Sequence, residues 1–340
     1  MSGEAAEANG VRLRPLGNEG VHACVARPAH TGPTTRTWPE EEDIADFSFV
    51  VYGDNRGDDN HNFREPHRDV ACLGILNGAI MHETDYPPFV LHVGDLVCQG
   101  GDALEWIPHF FRPAGALISR VPVFPCVGNH ETNDDPPACN FVELFNLPEN
   151  AYKAEDEERY YWFNYGDCYF VVLDTNLPFG LGSDQYDWLI GGKGNGCLTW
   201  SEFLNARWLF VLLHCPPYTD STDGHKWGDE DDVVPVRTIL APIFESSTSP
   251  RPHRKADVVF SGHNHFYERS KYNGVHYIVT GGGGAPLHTP ISPPDPEGNV
   301  GQERAEKAYH YCRVDVPASG ALHLTVREED GTLIEELDLD

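Results

Sequence analysis

Residues 258–269, VVFSGHNHFYER, begin as a short apolar run and end in a cluster of polar side chains. Apolar runs of this length that are rich in Val and Phe are typical of buried β-strands. Gly262 allows a sharp turn directly after the run. The pattern therefore predicts a strand whose carboxyl end presents the imidazoles of His263 and His265.

Four other apolar runs lead to the same kinds of residue. Residues 47–52 lead to Asp54, residues 88–93 to Asp95, residues 121–127 to Asn129 and His130, and residues 208–213 to His214. Because ligands of open α/β sheets bind outside the carboxyl ends of the strands, these side chains are expected to form one site. A mixed set of Asp, Asn and His donors suits Mn, Fe, Zn, Co or Ni and requires no thiolate.

The alternation of apolar runs with longer mixed segments predicts an α/β fold built in layers. Residues 63–83 and 101–119 are the candidate helices between the first three strands. Residues 1–46 lack a periodic pattern and are rich in Pro, Gly, Glu and Thr, which predicts an irregular N-terminal arm. Residues 47–340 are expected to form the folded domain.

The C-terminal part of the chain has a different pattern. Residues 309–316, 321–328 and 332–338 are candidate strands, separated by the turn sequences PASG and EEDG. Short turns between such runs are hairpin signals, so these strands are expected to be antiparallel. Residues 281–308 are rich in Gly and Pro and predict a long loop near the strand ends.

The charge of the chain restricts its partners. Its 340 residues include 53 acidic and 24 basic side chains, a formal net charge of −29. Such a field repels polyanions, which argues against a nucleic-acid surface. No apolar run reaches the roughly 18 residues that a membrane span needs. The acidic runs at 40–46, 155–158 and 229–232 are interpreted as solvated loop faces, and the oligomeric state is left open.

The nine cysteines contain no CxxC pair, which excludes a zinc ribbon and a thioredoxin motif. Cys72, Cys126, Cys168 and Cys312 lie in apolar stretches and are expected to be buried thiols. The first residues lack the apolar core of a secretory signal, so a reduced, cytoplasmic location is favoured. The alternative is an exported protein from which a leader was removed, with one or two disulfides.

Taken in order, the motifs resemble the pattern GD…GD…GNH(E/D)…H…GHxH of the calcineurin-like metallophosphoesterase superfamily, over roughly residues 48–280. Residues 262–269 are also similar to the GHxHxYER signature of its purple acid phosphatase branch. QYDWL at 185–189, HCPPY at 214–218 and TGGGGAPL at 280–287 are similar to that branch too. The resemblance implies a four-layer α/β/β/α sandwich of two mixed sheets with a dinuclear metal centre.

The resemblance also implies roles for single residues. Asp95 would bridge the two metals, Asn129, His214 and His263 would complete metal 2, and Asp54 and His265 would bind metal 1. His130 would face the substrate and act as a general acid, with Glu131 orienting it or a ligand. The metals would be two divalent or trivalent transition ions, with Fe, Mn and Zn as the candidates.

Two positions depart from the family pattern. The superfamily often has GDxH, and Arg56 occupies the place of that His. The purple acid phosphatases instead have GDxxY, and Cys98 occupies the place of that Tyr, so the purple colour should be absent. Three interpretations remain for metal 1: Cys98 packs and water replaces the donor, Cys98 ligates as a thiolate, or His61 or His67 approaches.

The implied activity is hydrolysis of a phosphate ester, with a metal-activated hydroxide attacking phosphorus. A small phosphomonoester is favoured because the Arg56 guanidinium could clamp a phosphate oxygen. Alternatively, Arg56 pairs with Asp58, Asp59 or Glu65. The second substrate class is a small or cyclic phosphodiester. A different class of function is a protein-binding scaffold that has lost catalysis.

Three further side chains lie near the motifs. Tyr267 and Arg269 either line the pocket or form a stabilising network at a sheet edge. His288, after the run of glycines, is a candidate substrate contact.

Overall fold

The computed structural model describes residues 7–8, 11–12, 44, 46–57, 65–76, 86–191, 197–199, 203, 205–246 and 255–340. Within these residues the strands form one two-stranded, one six-stranded and one seven-stranded sheet. The strands are β1 (Glu7–Ala8), β2 (Val11–Arg12), β3 (Phe47–Tyr52), β4 (Val90–His92), β5 (Val123–Pro125), β6 (Tyr161–Tyr165), β7 (Cys168–Val172), β8 (Trp208–Leu212), β9 (Val258–Ser261), β10 (Tyr267–Tyr272), β11 (Val275–Thr280), β12 (Gln302–Glu306), β13 (His310–Val316), β14 (Leu322–Glu328) and β15 (Leu333–Leu339).

The helical segments of the described residues are short. They are Glu65–Arg68 continuing into Asp69–Leu76, Ile107–Phe111, Gly115–Ile118, His130–Thr132, Cys139–Leu144, Ala154–Asp156, Asp184–Ile190, Cys197–Thr199, and Val233–Pro235 followed by Val236–Leu240 and Ala241–Phe244. None of the helices in this part of the chain has the length and apolar character that a membrane crossing requires.

The six-stranded sheet has the order β15-β14-β13-β3-β4-β5. Its strands β3, β4 and β5 are parallel, with Val50 opposite Val90 and Val90 opposite Val123. Strands β13, β14 and β15 are antiparallel and join the sheet through β3. The sheet is therefore mixed, and the expectation of antiparallel C-terminal strands is confirmed.

The seven-stranded sheet has the order β12-β10-β11-β9-β8-β7-β6. Its centre is parallel, from β7 through β8 and β9 to β11. Its edges are antiparallel, because β6 pairs with β7 and both β12 and β11 pair with β10. The two mixed sheets expected from the sequence are thus both present.

Aromatic side chains fill the space between the two large sheets. Phe49 of β3 contacts Phe170 of β7 and Phe210 of β8, with ring centroids 5.4 and 5.0 Å apart and the rings nearly perpendicular. All three rings are buried. Edge-to-face pairs add to the free energy gained by burial alone. The interface between the sheets is therefore a packed core that fixes how their strand ends meet.

Helices cover the outer faces and complete the four layers. The segment Asp69–Leu76 packs on β13 and β14 of the six-stranded sheet. On the other side, Tyr169, Val171 and Leu209 of the seven-stranded sheet share a buried cluster with Asp184–Ile190 and with residues 236–244. The structure confirms the predicted α/β/β/α sandwich.

Two sequence expectations about secondary structure need correction, and a third is only partly covered by the described residues. The predicted helix over 101–119 is broken into two short pieces, because Pro113 lacks the N–H that would continue the first one. Of the predicted helix 63–83, residues 65–76 are helical and the remainder lies outside the described residues. The predicted loop 281–308 contains β12, whose polar sequence QERAE carries no apolar strand signal.

The other expectations concern the arm and the cysteines. In residues 1–46 the structure describes little beyond the pairing of β1 with β2, so the division at residue 46 stays a prediction. Cys126, Cys168 and Cys312 are buried free thiols, as expected. The side chain of Cys72 lies outside the described residues. Cys139 is disulfide-bonded.

Candidate metal centre

The strand ends that the sequence singled out meet in one place. Asp54, Asp95 and Asn129 follow β3, β4 and β5 of one sheet, and His214 and His263 follow β8 and β9 of the other. Oδ1 of Asp95 lies 3.3 Å from Nε2 of His214. Asp54, Asp95 and His214 present atoms within 4.8 Å of one another, in a group that could hold a metal ion.

Three donor atoms surround the inner nitrogen of the His214 imidazole. Nε2 of His214 lies 2.9 Å from Oδ1 of Asn129 and 3.1 Å from Nδ1 of His263, in addition to its contact with Asp95. Donors bound to one cation at about 2.0–2.2 Å in a tetrahedral arrangement lie about 3–3.5 Å apart. The observed spacing therefore fits a single metal position.

The outer nitrogens of the same imidazoles face hydrogen-bond acceptors. Nδ1 of His214 lies 2.7 Å from the carbonyl oxygen of Val93, and Nε2 of His263 lies 3.3 Å from a carboxylate oxygen of Asp232. Because an acceptor fixes the proton on the outer nitrogen, the inner nitrogen keeps its lone pair for a metal.

Asp54 and His265 form the second part of the site. Nδ1 of His265 faces the carbonyl oxygen of Pro286 at 2.8 Å, and its Nε2 lies 3.7 Å from Oδ1 of Asp54. Oδ2 of Asp54 is buried and has no hydrogen-bond partner among the described residues. Burial, and then the charge of Asp95, raise the pKa of Asp54 well above its usual value. A buried carboxylate oxygen without a hydrogen-bond partner is expected where that oxygen binds a metal ion.

The backbone at these positions is strained. Asp54, Asp95 and His263 adopt left-handed conformations with φ of 56°, 57° and 70°. Non-glycine residues rarely adopt this region and do so mostly at functional sites. A Cβ on Gly262 would overlap Oδ2 of Asp54, and one on Gly128 would overlap Oδ1 of Asp95. Glycine is needed there because the backbone passes directly against the carboxylates.

Glu131 supports the loop that carries Asp95. Its buried carboxylate accepts the backbone N–H groups of Asp95 and Leu96, both at 2.8 Å, and of Gly128 at 2.7 Å. Burial, and then the nearby Asp95, raise the pKa of Glu131 to about 8, against the effect of these donors. Its contacts are thus with the backbone of the loops, and these contacts orient the Asp95 side chain indirectly.

His130 lies beside the metal position, outside the group of donors around His214. Its Nδ1 is 2.7 Å from the carbonyl oxygen of Cys98, and its Nε2 is 3.8 Å from Oδ2 of Asp95. The side chain keeps 19% of its surface exposed, whereas the His214 side chain keeps none. His130 is therefore held at the solvent side of the site, where a substrate can reach it.

The candidate replacements for the missing metal-1 donor have other contacts. The Cys98 thiol donates to the carbonyl oxygen of Gly57 at 3.1 Å, and burial raises its pKa to about 11. The two ring nitrogens of His67 face the carbonyl oxygen of His109 at 2.9 Å and the hydroxyl of Tyr52 at 3.4 Å. His61 lies outside the described residues. These contacts favour Cys98 as a packing residue.

Arg56 points toward the bridging candidate. Its Nε lies 3.6 Å from Oδ2 of Asp95, and its side chain is 12% exposed. The charge of Asp95 therefore faces a guanidinium on that side. The alternative partners of Arg56 suggested by the sequence lie outside the described residues; they are Asp58, Asp59 and the side chain of Glu65.

Tyr267 and Arg269 turn away from the centre and join the two sheets. Glu335 of β15 accepts the Tyr267 hydroxyl at 2.6 Å and two guanidinium N–H groups of Arg269 at 2.8 and 3.0 Å. These contacts agree with the stabilising network among the two interpretations of the sequence.

Two further imidazoles stack on the candidate ligands. His288 lies on His265 with ring centroids 4.0 Å apart, and its Nδ1 accepts the His265 backbone N–H at 3.3 Å. His225, which the sequence analysis missed, lies on His263 with centroids 3.5 Å apart. The Asn264 side chain accepts the backbone N–H of His225 at 2.8 Å and donates to the backbone carbonyl oxygen of His225 at 2.9 Å. These two hydrogen bonds hold His225 in place.

The acidic run at 229–232 accompanies His225. Nδ1 of His225 lies 3.0 Å from Asp229 and 3.4 Å from Asp232. These two carboxylates, 24% and 38% exposed, therefore contact an imidazole in addition to solvent. A histidine a few residues before an acidic run was the only signal available in the sequence.

A family model and several known proteins match this chain. Residues 59–267 match the family model described as calcineurin-like phosphoesterase. The match covers more than half of the chain, which therefore belongs to this family.

The relatives of this chain include several purple acid phosphatases. Purple acid phosphatase 21 of Arabidopsis thaliana is 30% identical over 217 residues, which cover 60% of this chain and 45% of that protein. Probable inactive purple acid phosphatase 9 of the same plant is 27% identical over 231 residues, 59% of this chain and 31% of that protein. The chain spans about half the length of the curated relatives it matches first.

The purple acid phosphatase PPD1 from yellow lupin seeds has the same fold. It superposes with a TM-score of 0.63 at 19% identity, over 86% of this chain and 53% of that one.

Proposed function

We propose that this chain is a metal-dependent phosphoester hydrolase that acts on small phosphomonoesters. The observation that carries the proposal is the arrangement of His214, whose Nε2 meets three oxygen or nitrogen donors while its Nδ1 is held by a carbonyl oxygen. Family membership supports the reaction class. The monoester preference rests on Arg56.

The ligand assignment follows the contacts. Asn129, His214 and His263 would hold metal 2, Asp54 and His265 would hold metal 1, and Asp95 would be shared. Fe, Mn and Zn all suit these donors. When bound, the two ions would neutralise charge on the phosphoryl oxygens and lower the pKa of a water molecule.

The side chains around the metals bind the ester and move a proton. Arg56 faces the site with a planar guanidinium, which suits two oxygens of a phosphate dianion. His130 donates a proton from Nε2 to the leaving oxygen, since its Nδ1 is engaged by the Cys98 carbonyl oxygen. Diesters offer one negative charge fewer to Arg56 and are the second substrate class.

The experiment combines metal analysis with two aryl substrates. The purified chain should contain up to two transition ions and should hydrolyse 4-nitrophenyl phosphate faster than bis(4-nitrophenyl) phosphate. Chelation should abolish both rates, and re-addition of Mn²⁺ or Zn²⁺ should restore them. Faster hydrolysis of the diester would overturn the monoester preference, and a fully active metal-free protein would overturn the reaction class.

A binding scaffold is the second candidate. It is favoured by the relative named as a probable inactive phosphatase and by the departures at Arg56 and Cys98. Metal bound at the centre with no turnover of either substrate would support it. Against it, the donors around His214 are complete.

The compartment is proposed from the disulfide. Disulfides persist in oxidising compartments, so the bonded Cys139 favours export over the cytoplasmic location expected from the sequence. Alkylation of the native protein followed by mass spectrometry tests whether Cys139 is blocked. If Cys139 is alkylated in the native protein, the cytoplasmic location is favoured instead.

A further inference from the structure

The two oxygens of the Asp95 carboxylate face different surroundings. Oδ1 lies 3.3 Å from Nε2 of His214 and accepts the backbone N–H of His130 at 3.1 Å. Oδ2 lies 3.6 Å from Nε of Arg56 and 3.8 Å from Nε2 of His130. One oxygen therefore faces the metal-2 donors, and the other faces a permanent cation.

The two metal positions also differ in their donors. Metal 2 has Asp95 and three side chains of its own, whose geometry fits a four-coordinate ion. Metal 1 has Asp54 and His265 besides Asp95. Cys98 adds no donor there, since its thiol is turned to the carbonyl oxygen of Gly57.

From these contacts we infer that Arg56 makes the two positions unequal, with a tight metal 2 and a weak metal 1 whose ion competes with the guanidinium for Oδ2 of Asp95. The reason is electrostatic. A fixed positive charge close to the shared carboxylate repels a second cation, and the low exposure of Arg56 limits screening by water. A missing protein donor weakens the same position further. This inference rests on the metal assignment of the proposed function.

The inference gives Arg56 a second role beside phosphate binding. In the singly loaded protein its guanidinium supplies positive charge next to Asp95, where the second ion would otherwise provide it. The chain would then bind phosphate with one ion and one guanidinium at low metal concentration. It would bind the second ion only at higher metal concentration.

Metal titration of the chelated full chain tests the inference. Isothermal titration calorimetry with Mn²⁺ should show one tight site and a second site at least about tenfold weaker, a difference of about 1.4 kcal/mol. Electron paramagnetic resonance should show an isolated Mn²⁺ at one equivalent and a coupled pair only in excess. Two equal sites in the unaltered chain would overturn the inference, whatever the variants do.

The variants separate charge from packing. Arg56→Met removes the charge and should tighten the second site about tenfold or more, whereas Arg56→Lys should keep the inequality. Arg56→Gln serves if the Met variant does not fold. Cys98→Ala should leave both affinities unchanged, and a weakened second site there would assign the thiol as a ligand instead. No change on neutralising Arg56 would contradict the inference alone, while a chain that binds no Mn²⁺ would contradict the proposed function as well.

Discussion

The buried carboxylate of Glu131 accepts the backbone N–H of Asp95 at 2.8 Å, and it binds Gly128 in the same way. Asp95 and Gly128 lie on loops after two neighbouring parallel strands. Asp95 is held in a left-handed conformation, which needs support from its surroundings. Glu131 therefore acts on the centre through the backbone, by fixing the position from which the Asp95 side chain extends.

Replacing Glu131 by Gln tests this support. The amide would present N–H groups to backbone donors, so buried donors would lose an acceptor at a cost of about 1–3 kcal/mol. We expect a lower free energy of unfolding in urea and a weaker retention of metal. Glu143→Gln, the same change at an exposed residue, should have neither effect. An Asp95 loop that keeps its metal and stability without Glu131 would show that the contact is incidental.

Asp95→Asn should weaken both metal positions together. In the proposed assignment the side chain is shared between them, and loss of its charge removes attraction from each ion. We expect metal content and hydrolysis rate to fall in parallel. The loss should exceed the decrease of about 10–100-fold in metal affinity or activity that follows mutation of a residue hydrogen-bonded to a metal ligand. Asp315→Asn provides the control on a half-buried carboxylate of β13. Retention of both ions at full rate would exclude the bridging assignment.

His130→Ala should keep the metals and lose rate. Loss of a general acid typically costs about 10²–10⁴-fold, and the loss should be smaller for a good leaving group such as nitrophenolate. Rates on an alkyl phosphate and on 4-nitrophenyl phosphate, with metal analysis of the same samples, provide the measurement. His323→Ala, on β14, should leave both rates unchanged.

The pattern of loss across the two substrates distinguishes the roles of His130. Equal losses on the two substrates would indicate stabilisation of the phosphoryl oxygens instead. Loss of metal would make His130 a ligand.

The link between the sheets should contribute strongly to stability. Glu335→Gln breaks the paired contacts with Arg269, whose side chain is only 7% exposed. Arg269 keeps its ion pair with Glu303 in this variant, so the expected cost is that of lost charged hydrogen bonds, about 1–3 kcal/mol. Urea unfolding measures the change. Glu336→Gln, at the next and more exposed residue, should cost little, and equal effects of the two variants would contradict the assigned role.

His310 should make the fold sensitive to acid. It is fully buried between Thr280 and the carbonyl oxygen of Ala308, and burial lowers its pKa to about 4. Between pH 6.5 and 4 the unfolded chain binds a proton that the folded ring does not, so stability falls as pH falls. The free energy of unfolding of the unaltered chain should fall between pH 7 and pH 5. In His310→Gln this fall should be smaller by about 2 kcal/mol.

Urea unfolding at the two pH values provides the measurement. Parallel losses in both proteins would mean that the ring is already charged in the fold or plays no part.

Several features of the site could be predicted because their signals are local. The apolar runs before Asp54, Asp95 and His214 form strands where expected, and the glycines beside them mark places where backbone approaches a carboxylate. The order of these motifs was enough to identify the family. The strands β10 and β12 were missed because YERSKY and QERAE are polar, and their pairing with each other determines their conformation.

The sequence alone determined which donor types end which strands, since a buried strand and a glycine turn each depend on a few neighbouring residues. Tertiary structure alone decided what those side chains face. Arg56 meets Asp95, His225 stacks on His263, and Glu335 joins Arg269 across two sheets. Such contacts depend on how two sheets pack and on loops far apart in the chain, so no local pattern of residue types specifies them.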